Sequence, residues 1–152
     1  MKKVLLMVVA LMFTAAAFAQ IDAPVRWSYA AKRISPTEAV VLVKATIEPG
    51  WHIYSQNVKD GGPVATSFTY APGQKNFTVI GKPTEPKAIV KYEEVFKMNV
   101  SYFENSVIFQ QKVKLKGKGA TTVKGKVEYM TCNDRKCLPP DEVEFNVAVP
   151  VK

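Results

Sequence analysis

Val123-Lys124-Gly125-Lys126-Val127-Glu128-Tyr129-Met130-Thr131-Cys132-Asn133-Asp134-Arg135-Lys136-Cys137-Leu138-Pro139-Pro140-Asp141-Glu142-Val143-Glu144-Phe145-Asn146-Val147-Ala148-Val149 is the stretch that decides how this chain folds. Val123, Gly125, Val127 and Tyr129 alternate with polar residues before two cysteines. Val143, Phe145, Val147 and Val149 do the same after them. A side-chain period of two marks a strand with one buried face. The spacing predicts a strand running to Thr131, a turn at the cysteines, and a return strand over 142–149. Cys132 and Cys137 are the only cysteines, and a turn of the four residues between them would set them roughly opposite each other. Opposed antiparallel residues have Cα atoms about 4.5–5.5 Å apart, and a disulfide wants about 4.4–6.8 Å. A bridge is permitted by this geometry and not demanded by it.

Working outward, the same pattern gives strands over 25–34, 38–47, 66–70, 77–80, 100–103 and 106–115, while 51–55 is short and aromatic and 88–92 is extended. Between them lie breaks rich in Pro, Gly and Asn, such as Pro49-Gly50, Gly61-Gly62-Pro63, Ala71-Pro72-Gly73 and Glu104-Asn105. Residues 93–98 read neither as strand nor as loop, and almost nothing reads as an amphipathic helix. Roughly eight or nine short strands with frequent turns imply an all-β fold, an immunoglobulin-like β-sandwich. The Cys…Trp…Cys order of antibody domains is absent, because Trp27 and Trp51 both precede the cysteines. The cysteines are also too close in sequence to bridge two sheets. No repeat or linker divides the chain, so residues 20–152 are expected to form one domain.

Residues 1–19 read as a secretory signal peptide. Lys2 and Lys3 form its basic start, an apolar run covers 4–18, and Ala17-Phe18-Ala19 is a small-x-small cleavage signal with cutting expected after Ala19. The alternative is an uncleaved anchor, although the run is shorter than the roughly 20 residues of a membrane span. No later segment is long or apolar enough to span. The formal charge of +8 becomes +6 when Lys2 and Lys3 leave. Lys112, Lys114, Lys116 and Lys118 concentrate positive charge, but on a strand they share a solvent face opposite Val113 and Leu115. No aromatic residues interleave for base stacking, so nucleic acid is not an expected partner.

Export puts the cysteines in an oxidising compartment, where pairs close and persist. Most such pairs are structural. Yet a six-residue loop yields only about 2 kcal/mol by chain entropy, against about 4.7 for a hundred-residue loop. An exposed turn is also easy for another thiol to reach, which exchange requires. Arg135 and Lys136 beside Cys137 favour a thiolate, and Asp134 opposes it. A staple and an exchange site therefore both stand at this point. A metal site would have only His52 beside the two thiols, with no second Cys or His pair to complete it. A Cys–His catalytic couple would lean on His52 alone, and a lone histidine among aromatic residues is more often packing.

The block Tyr129–Pro140 resembles the redox-active segment of the N-terminal periplasmic domain of the thiol:disulfide interchange protein DsbD. The form Cys-Asn-Asp-x-x-Cys-Leu-Pro-Pro is similar to versions from Bacteroidetes-type bacteria. Gly50-Trp51-His52-Ile53-Tyr54-Ser55, Gly61-Gly62-Pro63 with Thr66-Ser67-Phe68, and Tyr92-Glu93-Glu94-Val95-Phe96 with Val100-Ser101-Tyr102-Phe103 resemble further blocks of that family. The resemblance implies an immunoglobulin-like sandwich acting as a periplasmic thiol–disulfide relay without a cofactor. It implies that Cys137 forms the mixed disulfide with a thioredoxin-fold partner and that Cys132 resolves it. The pair would then be re-reduced by a membrane-embedded cysteine pair of DsbD type. A cap loop over Glu93, Glu94, Val95 and Phe96 would shield the cysteines, with Val95 or Phe96 as apolar lid and the two glutamates disfavouring a thiolate. Tyr54 matches an aromatic residue lining the family's site, and His52 stands where relatives carry tyrosine. DsbD itself continues into a membrane domain and a thioredoxin domain; if this chain is complete at Lys152, both would come from other proteins, or the module would serve another use. The competing expectation is a non-catalytic exported sandwich whose disulfide pins a hairpin.

Overall fold

The computed structural model describes residues 23–151. The signal peptide and its cleavage after Ala19 lie outside the described residues. Eleven strands and no helix are found among them: β1 (Val25–Ser35), β2 (Glu38–Ile47), β3 (Trp51–Tyr54), β4 (Ser67–Tyr70), β5 (Phe77–Thr84), β6 (Ile89–Glu93), β7 (Met98–Glu104), β8 (Ser106–Leu115), β9 (Thr121–Tyr129), β10 (Thr131–Asn133) and β11 (Asp141–Val149). They form three antiparallel sheets with strand orders β1-β2-β8-β5, β10-β3-β7-β6 and β11-β9-β4. The arrangement is the all-β, immunoglobulin-like sandwich that the periodicity implies.

Alternation does most of the sorting. On β2, Ala39, Val41, Val43, Ala45 and Ile47 are buried. On β8, Val107, Phe109, Val113 and Leu115 are buried, while Lys112 and Lys114 stand in solvent. These residues meet Val123, Tyr129, Phe145, Val147 and Val149 of the β11-β9-β4 sheet in one main core. Aromatic rings knit the two layers: Trp27 lies 5.1 Å from Tyr129, and Phe68 lies 5.1 Å from Phe109. Burying one such side chain stabilises by about 1.5–3 kcal/mol.

Two polar side chains and one close backbone approach hold the layers in register. Arg33 is buried, with no carboxylate paired to it among the described residues, and its guanidinium donates to the carbonyls of Pro150 (2.9 Å), Pro36 (3.1 Å) and Gly119 (3.3 Å). Gln111 occupies an inward position on β8. It satisfies the carbonyls of Ile80 (2.9 Å) and Gly81 (3.3 Å) where β5 shifts register between Ile80 and Thr84. Gly125 on β9 lies under the Phe145 ring. A Cβ there would come within 2.6 Å of both the ring and the Thr69 carbonyl.

The cysteine stretch departs from a simple hairpin. The β9–β11 ladder runs from Thr121↔Val149 to Tyr129↔Asp141. Between its ends the chain leaves the sheet, and Thr131–Asn133 pairs instead with Trp51–Ile53 of β3. The strand expected to run to Thr131 is thus two strands in two sheets. Cys132 belongs to the β10-β3-β7-β6 sheet, and Cys137 meets it through an isolated bridge to Cys132.

Candidate functional site

The β3 sheet has two different faces. Ile53 and Phe103 point into the main core. Their neighbours on the opposite face, Tyr54, Val100, Tyr102 and Cys132, form a second, smaller buried cluster, with Phe96, Met98, Met130 and Val58 packed at its edge. This face is the floor of the site. Its position follows from strand geometry, because successive residues of β3 must point to opposite sides.

Cys132 and Cys137 are joined in a disulfide, with Cα atoms 4.0 Å apart. They also form an isolated antiparallel bridge, so the turn sets them face to face as the spacing allowed. The turn holds itself through its own hydrogen bonds. The Asn133 side-chain oxygen accepts from the backbone N–H of Arg135 and of Lys136, both at 2.9 Å. Asn133 N–H donates to the Lys136 carbonyl, and Leu138 N–H to the Thr131 carbonyl. Thr131 Oγ1 donates to the His52 carbonyl at 2.9 Å and ties the turn to β3. The two cysteines differ in access: Cys132 is only 2% exposed, whereas Cys137 is exposed.

Facing the turn is the β6–β7 hairpin. Its tip, Glu94-Val95-Phe96-Lys97, is closed by Phe96 N–H donating to the Glu93 carbonyl at 3.2 Å. Lys97 takes a positive φ of 51° there. The ambiguous segment 93–98 is thus the end of one strand, a turn, and the start of the next. The hairpin tip and the cysteine turn enclose an open cleft of about 570 Å³, and Glu93, Glu94, Val95, Phe96, Tyr54, Cys132 and Cys137 all line it. Phe96 packs edge-on against Tyr54 with centroids 6.2 Å apart. Val95 is 82% exposed. Of the two candidate lid residues, Phe96 lies over the floor and Val95 faces solvent at the rim. Glu93 is half-buried and pairs with Lys91 at 3.9 Å, while Glu94 is exposed.

His52 sits within the floor. It is directly opposite Cys132 in the β10–β3 pairing and opposite Glu104 in the β3–β7 pairing. Its Nε2 lies 3.2 Å from the Tyr54 hydroxyl, and its ring stacks at 4.7 Å from Tyr102. Burial pushes its pKa below the ordinary imidazole value, with Glu93, Glu104 and Asp134 opposing and Lys91 assisting. Burial, with Glu93 and Tyr102, pushes the Tyr54 phenol up to about 12. The face therefore favours neutral side chains. A thiolate is the nucleophile of exchange, and this face disfavours it at the buried cysteine.

Sequence reasoning placed the cysteines, Tyr54 and the 93–96 segment around one site, and these residues do share one cleft. It did not single out Asn133, Thr131 or Tyr102 as parts of that site. Asparagine at the first position of a tight turn was the available signal for Asn133. Lys136 lies over Trp51 at 5.9 Å, an aromatic contact across the turn that the sequence did not announce. Among the described residues no group of three or more His, Cys, Asp or Glu side chains could hold a metal ion. Among them, too, no helix is long and apolar enough to cross a membrane.

A sandwich that carries an exposed cysteine turn at the mouth of an aromatic cleft has the geometry that thiol–disulfide exchange requires. Residues 22–149 match the family described as thiol:disulfide interchange protein DsbD, N-terminal, and the chain belongs to that family. No curated protein matches the chain. Among solved structures, the N-terminal periplasmic domain of ScsB from Proteus mirabilis aligns at TM-score 0.59 and 16% identity, over 82% of this chain and 46% of that one. This chain therefore spans about half the length of that ScsB chain. The reduced N-terminal domain of DsbD from Neisseria meningitidis aligns at 0.53 and 19%, over 79% and 83%. The same domain in a structure of its complex with the PilB N-terminal domain aligns at 0.53 and 16%, over 84% and 87%. At these identities the structural likeness is one of fold. Family and disulfide together support a general role in thiol–disulfide exchange.

Proposed function

We propose that the protein is a periplasmic relay that passes reducing equivalents from a membrane-embedded DsbD-type donor to oxidised thioredoxin-fold proteins. The reduced Cys137 thiolate attacks a partner disulfide, forming one mixed disulfide and releasing one partner thiolate. Cys132 then attacks the Cys137 sulfur. The Cys132–Cys137 bond forms, the bond to the partner breaks, and the partner leaves with both sulfurs reduced. The donor resets the pair by delivering two electrons and two protons. The segment Glu93–Phe96 acts as the cap that a partner displaces. The observation that carries this reading is the asymmetry of access in a capped cleft: Cys137 exposed at the rim, Cys132 buried in the floor. The DsbD domain solved in complex with another protein domain supports a docking role for the same fold.

Two measurements test it. Thiol trapping across a series of redox buffers gives the reduction potential, expected between about −120 and −270 mV; a value well below about −300 mV without exchange would mean a staple. Cys132→Ala is expected to accumulate a mixed disulfide with a thioredoxin-fold protein, and Cys137→Ala is not. Equal trapping by both variants would overturn the assignment of roles.

A further inference from the structure

The relay leaves one difficulty unaddressed. Its second step needs Cys132 as a thiolate, yet Cys132 is sealed among Tyr54, Val100 and Tyr102. Burial among apolar groups raises a thiol's pKa and removes the nucleophile. Lys91, the cation that pairs with Val100 across β6–β7, is already engaged by Glu93. A base is therefore needed beside Cys132.

His52 is the residue opposite it. Directly paired residues of antiparallel strands share a face, with Cβ atoms about 4.5–5.5 Å apart. Both side chains line the same cleft. The imidazole is fixed rather than free: Nε2 is held at the Tyr54 hydroxyl and the ring is stacked on Tyr102. Neutral imidazole has one donor and one acceptor nitrogen. In the tautomer whose Nε2–H donates to the Tyr54 hydroxyl, Nδ1 is the nitrogen that can take a proton.

Building on the relay above, we propose that His52 is the proton acceptor of the resolving step. The Cys132 S–H gives its proton to Nδ1 as its sulfur attacks Cys137. The Cys132–Cys137 bond forms, the bond from Cys137 to the partner breaks, and the departing partner thiolate takes the proton back from the imidazolium. Nothing is consumed beyond the two electrons passed to the partner. The groups facing the imidazole are Tyr54 on its own strand, Tyr102 and Glu104 on β7, Lys91 and Glu93 on β6, and Asp134 in the cysteine turn. Burial outweighs the three carboxylates and lowers the imidazole pKa, which favours the neutral ring that an acceptor needs.

The test is single-turnover oxidation of the reduced protein by oxidised glutathione, with acid-quenched samples resolved by mass. Formation of the glutathione adduct at Cys137 and its closure by Cys132 are followed separately from pH 5 to 9. His52→Phe is expected to slow closure about 10–100-fold at pH 7. Its closure rate should then fall about tenfold per pH unit below the thiol pKa, while adduct formation changes less than about twofold. His52→Gln, which keeps a hydrogen-bonding partner for Tyr54, should behave like His52→Phe and separates proton transfer from packing. Closure with the wild-type pH profile in either variant overturns the proposal. If the wild-type protein forms no glutathione adduct at Cys137, the relay reading falls and this inference with it. Should both variants misfold, the wild-type protein still decides. His52 is the only histidine, so its proton resonance is unambiguous. Its titration should differ between oxidised and reduced protein, and identical titration curves would overturn the proposal.

Discussion

Reducing the disulfide should leave this protein folded, at a cost that can be worked out from the loop it closes. The bridge joins residues five apart, a loop of six. Chain-entropy arithmetic for such a loop gives about 2.2 kcal/mol of stabilisation, all of it from the unfolded state. Little should be lost from the folded state. The turn is held by Asn133, Thr131 and Leu138 independently of the sulfurs. The main core contains neither cysteine. For a domain of this size, each kcal/mol moves the melting midpoint by roughly 3–6 °C. Reduction should therefore lower Tm by about 6–13 °C while the unfolding transition stays cooperative. The same cycle fixes a redox quantity, since 1.4 kcal/mol corresponds to about 30 mV for a two-electron couple. The pair in the folded protein should lie about 45 mV below the same pair in the unfolded chain. Urea unfolding with and without dithiothreitol, followed by tryptophan fluorescence, measures the first figure. Thiol trapping in native and denaturing buffers measures the second. A loss above about 4 kcal/mol, or unfolding on reduction, would refute the reasoning and make the bridge a structural staple.

Three further outcomes follow from particular contacts. Gly125→Ala should destabilise by about 2–3 kcal/mol in urea unfolding, because its Cβ would meet the Phe145 ring and an immovable carbonyl at 2.6 Å; a change below about 0.5 kcal/mol would contradict this geometry. Phe96→Ala removes the edge-on contact with Tyr54, and losing such a pair costs about 0.5–1.5 kcal/mol. Alkylation of the reduced protein by iodoacetamide should then accelerate about 2–10-fold with little change in Tm, and an unchanged rate would remove Phe96 from the cap. Tyr54 and Tyr129 are each raised to about 12 by burial, against about 10 in an unfolded chain. Their neutral forms contribute stability that is complete below pH 10 and lost as pH rises towards 12. Urea midpoints should fall across that window, and Tyr54→Phe should lessen the fall. Absorbance showing all six tyrosines titrating at pH 10 in the folded protein would contradict this.

What the sequence made legible depended on how local the cause was. β2 and β8 were readable to the residue because each alternates cleanly between core and solvent. β6 was readable only as extended: it is an edge strand with no buried residue, so no periodicity marks its ends. β10 was not readable at all. It has three residues, and its partners Trp51–Ile53 lie about eighty positions earlier. No local pattern encodes such a pairing, and the expected continuous strand to Thr131 was the natural misreading. The bulge on β5 had the same origin. The strand expected over 77–80 continues to Thr84, where buried Gln111 satisfies the Ile80 and Gly81 carbonyls at the register shift. For the site, the cysteine block named the chemistry, and the resemblance supplied Tyr54 and the 93–96 segment. The difference in access between Cys132 and Cys137 came only from the tertiary structure, because both flank the same polar turn.

The placement of the cysteines on the outer face of the β3 sheet has a mechanical consequence. Ile53 anchors β3 in the main core, while His52 and Tyr54, one residue to either side, carry the floor of the cleft. Beyond Tyr54 the strand is tied down again. Glu85 accepts from the Ser55 hydroxyl, the Gln56 N–H (3.1 Å) and the Asn57 amide (2.7 Å), and Thr66 donates to the Tyr54 carbonyl. The floor is thus fixed at both ends by groups that take no part in the chemistry. The β6–β7 tip, the proposed cap, is light by comparison: four residues whose hold on the floor includes one edge-on aromatic contact. Segments with few buried contacts open at small free-energy cost. On the proposed reading, a partner would lift this tip without disturbing the core, and reduction would proceed without loosening the floor. If the cap instead shared the main core, its displacement would cost a sizeable part of a stability that in whole domains is only about 5–15 kcal/mol. Separating the small cluster from the large one lets a site change its bonds and its cover while the sandwich beneath it stays the same.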